Sequence, residues 1–426
     1  MNVVILAARL VLAFFPEISA LAADEDIRGP DFNVRLLPPS PQVTDVEPPS
    51  PTPRKSLSEA VFDSIRDKSK GHLKQKNIES IIAQAEKDLA SQTGSKSRQR
   101  VIIIRDALFA IAKKGGPTAF LATDEDQDFA AWQSAFSGSL EAARTPEIGV
   151  HVQQLGAKWF ISKVYAGSEA QRVGLMDGDE WLLTDGKPAH PLKDLKRGGP
   201  GTSLTMTVRR RADGPTREVR VTPSFLSVQE VLATHMAKSH RILRAKGPSP
   251  ASPQTSGDLA VAYVALPAAS HVTFLEQLAS LASQYQSTSD AMILDLRGGI
   301  LGPDATYVEP FLGEKALYTK PLVLLVDQST GGGRERLAQL LQKTGRGILV
   351  GAPTQGLREV LDFQDVIPGE AALVYAVPST NPKIEPENRP LKPDYAVETQ
   401  TLYSAGSDES LSKALSVVTT LLSKRS

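Results

Sequence analysis

Hydroxyl side chains and a glycine triplet stand together in the stretch 327–335 (DQSTGGGRE), and they could support two kinds of chemistry. A hydroxyl such as that of Ser329 or Thr330 becomes a nucleophile when a neighbouring base, for example the Lys343 amine, removes its proton. A glycine-rich loop before a helix can instead hold a phosphate on its backbone N–H groups. Both kinds of site need a strand before the loop and a helix after it.

The flanking sequence predicts those elements. The apolar run Leu322–Val326 predicts a buried strand, and the pattern from Arg334 to about Lys343 predicts a helix. A second apolar run, Ile348–Val350, predicts the next strand. A strand, a tight turn at Gly331–Gly333, a helix and a strand are the elements with which α/β enzymes present a catalytic residue at a strand end.

The spacing of the residues fits neither a nucleophilic dyad nor a phosphate-binding loop well. A Ser329–Lys343 dyad needs its hydroxyl and amine within about 3 Å, but Lys343 lies more than three helical turns along the helix. Ser329 and Thr330 are therefore predicted to cap the helix N-terminus. For a phosphate, G-x-G-x-x-G fails because position 336 is Arg, and the P-loop spacing is absent. A displaced dyad and a nucleotide site stay as minor alternatives.

The composition argues against several classes of function. The chain has 426 residues, with 48 Lys and Arg against 48 Asp and Glu, and zero net charge argues against a nucleic-acid partner. It contains no Cys, which excludes thiolate metal clusters, Cys nucleophiles and disulfides. His235 and His240 lie five residues apart and miss the i, i+4 spacing of helical zinc sites. We therefore predict no metal and no cofactor.

The N-terminus predicts export. Val3–Phe15 is apolar apart from Arg9, and Ala20-Leu21-Ala22 fits a signal-peptidase site, so residues 1–22 are predicted to be a signal peptide. The Pro-rich stretch 23–55 is predicted to be a disordered linker. We expect a periplasmic or secreted protein of a bacterial envelope that meets membranes only peripherally. An uncleaved membrane anchor is the alternative interpretation, although the apolar stretch Val3–Phe15 is shorter than the roughly 20 residues that a helix needs to span a bilayer.

Three further regions are predicted, giving an α/β fold class. Residues 56–145 have helical patterns, including a capping box from Ser56 to Glu59 and a helix after Thr123. Residues 146–225 have short strands joined by turns such as Asp185-Gly186. Residues 226–426 alternate strands and helices.

Within this last region, Ser227–Lys246 is predicted to be helical. A polar, Pro-rich break is predicted to follow at Gly247–Gly257, and a strand is predicted at Leu373–Val377.

The region 146–225 resembles a PDZ domain of the protease-associated kind. The resemblance lies in Ile148-Gly149-Val150 and in Ala166–Pro188 (AGSEAQRVGLMDGDEWLLTDGKP). It implies that backbone N–H groups near Gly149 hold the carboxylate of a protein or peptide C-terminus, while the strand Val150–Val152 pairs with the tail. The predicted peptide-binding residues are Ile148, Gly149, Val150 and Val152. A PDZ fold that only braces its neighbour is the alternative.

The last region resembles carboxyl-terminal processing peptidases, the Ser-Lys peptidase family S41. The motifs that carry the resemblance are Ile293–Gly298, Pro321–Asp327, Glu335, Gly345-Arg346, Val350–Gly356 and Pro390–Asp394. The resemblance covers most of the chain from Ser56 to Val397. It implies a helical N-terminal region, a PDZ-like β domain and a ClpP/crotonase-like α/β peptidase core.

The resemblance also shows what this sequence lacks. Aligned without gaps on the family motifs, the nucleophile, general-base and supporting Gln positions fall on Gly332, Leu357 and Leu361. A remnant of the oxyanion region is implied at Gly299, Gly302 and Gly333. No catalytic residue is therefore assigned. Peptidase activity would require a displaced dyad of Ser329 and Lys343.

Three functions follow as hypotheses. The first is a pseudopeptidase that binds C-termini, alone, as a homo-oligomer or with an active relative. The second is a protease with a relocated nucleophile, and the third is a structural envelope protein.

Overall fold

A computed structural model describes the chain in thirteen segments. They are 55–69, 75–91, 97–114, 118–123, 144–198, 201–249, 252–267, 272–299, 305–356, 360–367, 370–377, 389–398 and 402–424. The predicted signal peptide, nearly all of the predicted linker, the helix predicted after Thr123, and the positions Gly302 and Leu357 lie outside these residues. Within them, no helix is long and apolar enough to cross a membrane.

Helices and strands alternate along much of the chain. The helices are α1 (Leu57–Lys68), α2 (Gln75–Ser91), α3 (Ser97–Lys113), α4 (Glu169–Arg172), α5 (Pro191–Gly198), α6 (Val228–Ser239), α7 (Val272–Thr288), α8 (Gly333–Lys343) and α9 (Glu409–Ser423). The first nine strands are β1 (Ala119–Thr123), β2 (Thr145–Glu147), β3 (Val150–Leu155), β4 (Lys158–Val164), β5 (Glu180–Thr184), β6 (Lys187–Pro188), β7 (Leu204–Arg209), β8 (Thr216–Val221) and β9 (Ser224–Leu226). The others are β10 (Arg241–Ser249), β11 (Ser252–Ala265), β12 (Ala291–Asp295), β13 (Leu322–Val326), β14 (Gly347–Gly351), β15 (Val360–Ile367), β16 (Ala371–Val377) and β17 (Tyr395–Ala396).

The largest layer, which we call the core sheet, has the strand order β10-β11-β12-β13-β14-β17. Its strands from β11 to β17 are parallel, and β10 is antiparallel to β11. One face packs on α6, α7 and α8, and the other packs on α9. Both faces are therefore covered, which explains why every residue of β12 and β13 is buried. The predicted α/β class is confirmed.

A second layer, the middle sheet, has the antiparallel order β3-β4-β5-β7-β8, with β6 paired to β5. Its apolar core includes Ile148, Trp181 and Met206, with Leu195 from α5. Asp185 and Gly186 have φ values of 50° and 75° and join β5 to β6. This is the tight hairpin turn that the dipeptide predicted.

The third sheet, in the order β1-β16-β15, joins distant parts of the chain. The helices α1, α2 and α3 share an apolar core with Ala119, Leu121, Ala371 and Leu373 of this sheet. Ser64 on α1 donates a hydrogen bond of 2.6 Å to Gln364 on β15. The helical region therefore completes its core with residues from near the end of the chain, while the predicted domain boundaries stay predictions.

The helix predicted over Ser227–Lys246 is wrong in its second half. Ser227 and Glu230 form a capping box at the start of α6, but α6 ends at Ser239 and β10 begins at Arg241. The predicted Pro-rich break is also wrong, because β10 and β11 stay paired as far as Pro248 and Ser256. Pairing with the buried strand β11 outweighs the local pattern. Pro248, which has no N–H, is tolerated because β10 is an edge strand.

Candidate functional site

The turn between β13 and α8 holds the position where the family nucleophile was aligned. Gly332 is the N-cap of α8, with φ 60° and ψ −140°, and no side chain caps the helix there. For a residue other than glycine, such a backbone costs on the order of 1–3 kcal/mol. Glycine removes this strain and leaves the helix start without a side-chain hydroxyl.

Ser329 and Thr330 do not cap α8, so that prediction is wrong. Ser329 Oγ donates to Asp327 Oδ1 at 2.7 Å and accepts from the Gly298 N–H at 3.1 Å. Thr330 Oγ1 accepts from the Asp327 N–H at 3.0 Å and lies 3.1 Å from the Leu296 carbonyl O. The reason is local, because Asp327 directly follows β13 and offers a nearer partner than the helix N–H groups.

The structure does not bring Ser329 and Lys343 together. Lys343 is the last of the 11 residues of α8 and is exposed. At about 1.5 Å per residue, the helix carries its backbone roughly 15 Å from the turn. These residues do not form a proton-transferring pair in this arrangement.

Glu335 ties the start of α8 to the loop after β14. Its side chain is fully buried, and Oε1 accepts from Thr354 Oγ1 at 2.6 Å. Its two carboxyl oxygens lie 3.1 and 3.0 Å from the Gly356 N. Thr354 Oγ1 in turn accepts from the Leu391 N–H at 2.7 Å. We call these contacts among Glu335, Thr354, Gly356 and Leu391, which lie beside the turn, the frame.

Two other motif residues also hold the frame. Arg346 donates to the carbonyl oxygens of Phe311 and Tyr318 at 3.0 and 2.6 Å. Asp394 Oδ2 accepts from the Leu349 N–H at 2.7 Å and thereby fixes the chain before β17 to β14. Both residues therefore have structural contacts.

A buried ionic network lies at the end of β12. The Arg297 guanidinium donates to Asp295 at 2.7 and 2.9 Å and to Asp408 at 2.8 and 3.0 Å. Tyr263 donates to Asp295 Oδ2 at 2.7 Å. Burial by itself raises the pKa of Asp295, but the Arg297 guanidinium outweighs it and holds that pKa well below its usual range. The network connects the N-cap of α9 to the strand end beside the turn.

The implied oxyanion region is only partly described. The Gly299 carbonyl O accepts from the Gly331 N–H at 3.4 Å, and Gly333 is the first residue of α8. The structure therefore brings Gly299 and the glycine triplet together. Leu361 belongs to β15, in the third sheet.

Arg334 is a site residue that the sequence did not predict. Its side chain is fully buried, and Nη2 donates to the carbonyl oxygens of Leu266 at 2.8 Å and Arg297 at 2.7 Å. Within the described part of the chain, its Nε and Nη1 have no hydrogen-bond partner. Burial lowers the pKa of Arg334 to about 10. One feature of the sequence could have indicated Arg334: the family motif S-A-S-A-S-E has a small Ser at the position that Arg334 occupies in this chain.

The predicted tail-binding loop lies at the start of the middle sheet. Gly149 has φ 76°, and a Cβ at this position would lie 2.2 Å from the Ser168 Cβ, so only glycine fits. Ile148, Val150 and Val152 point into the apolar core of the middle sheet. Peptide binding at this loop stays a prediction, and a test by Val150→Asp would damage the fold as well.

The middle sheet is held to the rest of the chain at two places. The Ala166 N–H donates to His235 Nδ1 on α6 at 2.9 Å. Tyr403, shortly before α9, donates to Glu180 Oε2 at 2.8 Å. Burial lowers the pKa of His235 to about 4, so this histidine is neutral at pH 7. Among the described residues, no group of His, Asp and Glu is arranged to hold a metal ion.

Part of this chain is similar to a known protein family. Residues 304–397, which contain the Gly332 turn and the Glu335 frame, match the model of peptidase family S41. No curated protein matches the chain. The predicted resemblance to this peptidase family is thereby confirmed for the matched segment.

Solved structures give weaker likenesses of the same kind. A photosystem II D1 C-terminal processing protease is 17% identical over 84% of this chain and 99% of its own, with a TM-score of 0.47. Mature CPAF is 12% identical over 86% and 97%, with a TM-score of 0.45. The tricorn protease is 14% identical over 86% and 37%, with a TM-score of 0.42. The similarity to peptidase family S41 therefore rests on the family model over residues 304–397, because these TM-scores are low.

Proposed function

We propose that this protein is an exported S41-like pseudopeptidase. It binds protein or peptide C-termini through a PDZ-like middle sheet and acts as an adaptor, a decoy or a scaffold. The observation that carries the proposal is Gly332, which stands at the N-cap of α8 where the family nucleophile aligns. A peptidase-like frame surrounds a helix N-cap, Gly332, that has no side-chain hydroxyl to attack a peptide bond.

The chemistry of the aligned positions supports the loss of activity. A serine hydroxyl is a weak nucleophile until a base such as a neutral Lys takes its proton. Gly332 supplies no hydroxyl, and Leu357, at the family base position, cannot accept a proton. When nucleophile and base are both absent, only the backbone N–H groups near the oxyanion position are left to stabilise a transition state.

Tail binding is supported by the Gly149 turn. Its positive φ and its close contact with Ser168 fix the backbone that precedes β3. Around this turn, the resemblance to protease-associated PDZ domains runs through Ala166–Pro188. Because a chain terminus carries a carboxylate, a loop of this kind recognises it by backbone N–H groups and favours free C-termini over amides.

The compartment and the assembly follow from the same proposal. We expect the mature protein in the periplasm or outside the cell, since residues 1–22 have the pattern of a signal peptide. It acts as a homo-oligomer or in an assembly with an active relative, to which it delivers or from which it withholds tails. An uncleaved N-terminal anchor is the alternative arrangement.

Fluorescent peptides with identical sequences and either a free or an amidated C-terminus test the tail site. We expect wild type to bind the free acid and to bind the amide at least tenfold more weakly. His151→Glu places a negative charge two residues after Gly149 and should weaken binding of the acid. Gln153→Glu, two residues further along β3 and more exposed, is the matched control. Equal binding of acid and amide would favour the structural envelope protein.

An active protease with a relocated nucleophile is the second candidate. One observation favours it, since the exposed Ser329 hydroxyl donates to the Asp327 carboxyl at 2.7 Å. A serine-directed fluorophosphonate decides between the two. We expect no label on wild type, and labelling that disappears in Ser329→Ala would establish the protease instead.

A further inference from the structure

We propose that Arg334 is the centre of a carboxylate-binding subsite at the start of α8. The ligand is a monoanionic carboxylate, supplied either by a small organic acid or by the C-terminus of a peptide. The subsite lies in the core sheet layer, where α8 begins beside the ends of β11 and β12. It requires no peptidase activity.

The first argument is the unpaired guanidinium. Arg334 is fully buried, yet Nη2 binds only two backbone carbonyls and, among the residues described, Nε and Nη1 bind nothing. A buried cation is normally compensated by an anion and by a full set of hydrogen bonds. Arg334 has neither within the described segments, so two donor groups are available to a ligand.

The second argument is that the neighbouring acids are already engaged. Both Asp295 oxygens accept hydrogen bonds from Arg297, and one also accepts from Tyr263. Asp327 Oδ1 accepts from Ser329. These carboxylates attract the Arg334 charge from a distance without forming an ion pair with it. Within the described segments, no carboxylate forms an ion pair with Arg334.

The third argument is the position of the guanidinium. Leu266 directly follows β11, and Arg297 closely follows β12, so Nη2 marks the edge where these parallel strands end. The helix α8 begins at this same edge, after β13, with Gly332 and no capping side chain. The helix N-terminus and the guanidinium thus act on the same space, and both attract a negative charge.

The surrounding charges favour a carboxylate over a phosphate. The subsite offers one full positive charge and a helix N-terminus, while Asp295 and Asp327 lie close enough to act on Arg334. A dianion would be repelled more strongly than a monoanion by those two carboxylates, and a carboxylate oxygen can accept a charge-assisted hydrogen bond from the free Nε–H or Nη1–H group.

A pair of uncharged and charged probes tests the proposal. N-acetyl-alanine carries a free carboxylate and N-acetyl-alaninamide does not, and acetate adds a small-acid arm at matched ionic strength. We expect the thermal midpoint of wild type to rise with the two acids and to stay unchanged with the amide. If acetate acts alone, the source is a small acid; a stronger response to N-acetyl-alanine or to a tetrapeptide acid indicates a chain terminus.

Variants assign the response to the residue. All variants are compared in a His151→Glu background, in which the predicted tail site is weakened. There, Arg334→Met should abolish the rise in thermal midpoint, and Arg336→Met, two residues further along α8, should keep it. A rise that persists in His151→Glu/Arg334→Met, or one that is equal for acid and amide, overturns the proposal.

A spectroscopic readout covers the case in which Arg334→Met does not fold. In a proton–nitrogen correlation spectrum of wild type, the buried Arg334 Nε–H signal, assigned with Arg334→Lys, should shift on titration with N-acetyl-alanine. It should not shift with the amide. If the Arg334 Nε–H signal does not shift with either probe, the proposal is overturned.

Discussion

Removing the Thr354 hydroxyl should test the frame that holds the turn. Thr354→Val keeps the shape of the side chain but deletes an oxygen that donates to Glu335 Oε1 at 2.6 Å and accepts from the Leu391 N–H at 2.7 Å. All three groups are buried. The substitution therefore leaves one buried acceptor and one buried donor with a lost partner.

The cost follows from these two contacts. Loss of the hydrogen bond between Thr354 and the Glu335 carboxyl group costs roughly 1–3 kcal/mol. Leaving the buried Leu391 N–H without an acceptor costs about 1–3 kcal/mol more. We expect the free energy of unfolding to fall by about 2–6 kcal/mol, a large part of the 5–15 kcal/mol typical of a folded protein. Urea denaturation followed by tryptophan fluorescence and by circular dichroism measures the change.

A matched control isolates this effect. Thr344 Oγ1 lies 2.8 Å from the Leu340 carbonyl at the exposed end of α8, and Thr344→Val should change stability by less than about 0.5 kcal/mol. If Thr354→Val cost no more than Thr344→Val, the buried Glu335–Thr354–Leu391 contacts would not hold the site together, and the frame argument would fail.

Two other predictions concern the backbone at Gly332 and the pKa of Glu147. Gly332→Ser should lower the free energy of unfolding by on the order of 1–3 kcal/mol because of the backbone at φ 60°, and should restore no peptide hydrolysis because Leu357 supplies no base; hydrolysis above a mock preparation would contradict this. Burial raises the pKa of Glu147 to about 7, so its contribution to stability is fully present below the unfolded pKa near 4.5 and is lost as pH rises through 7. The buried His235, with a pKa of about 4, acts in the opposite direction, and its contribution is lost as pH falls from 6.5 through 4. The stability difference between Glu147→Gln and wild type should therefore shift in favour of the variant between pH 4.5 and 7, and a difference that is constant with pH would contradict the raised pKa of Glu147.

The sequence predicted those elements whose signal is local. The strand Leu322–Val326 was predicted with the bounds it has, because a parallel strand covered on both faces is one uninterrupted apolar run. The hairpin at Asp185-Gly186 was predicted because few dipeptides accept two positive φ values. The capping box at Ser56 was predicted from two residues three positions apart.

Features that depend on distant pairing could not be predicted in this way. The run Arg241–Lys246 fits a helix or a strand, and its partner β11 decides the outcome. Ala119–Thr123 pairs with β16, some 250 residues later, and nothing in its own composition indicates that partner.

At the site, Glu335 and Thr354 belong to motifs that carry the family resemblance, and the structure adds the hydrogen bond that joins them. Arg334 was not expected in the interior, because arginine is rarely fully buried and composition places it at the surface.

The central claim is that this peptidase-like frame has no serine nucleophile. Intact-mass measurement of the purified protein after incubation with a fluorophosphonate, alongside a fluorogenic peptide assay on the same sample, tests it most directly. The account predicts an unchanged mass and hydrolysis equal to the buffer background. A stoichiometric adduct on one serine, with hydrolysis that disappears when that serine is replaced by alanine, would contradict it.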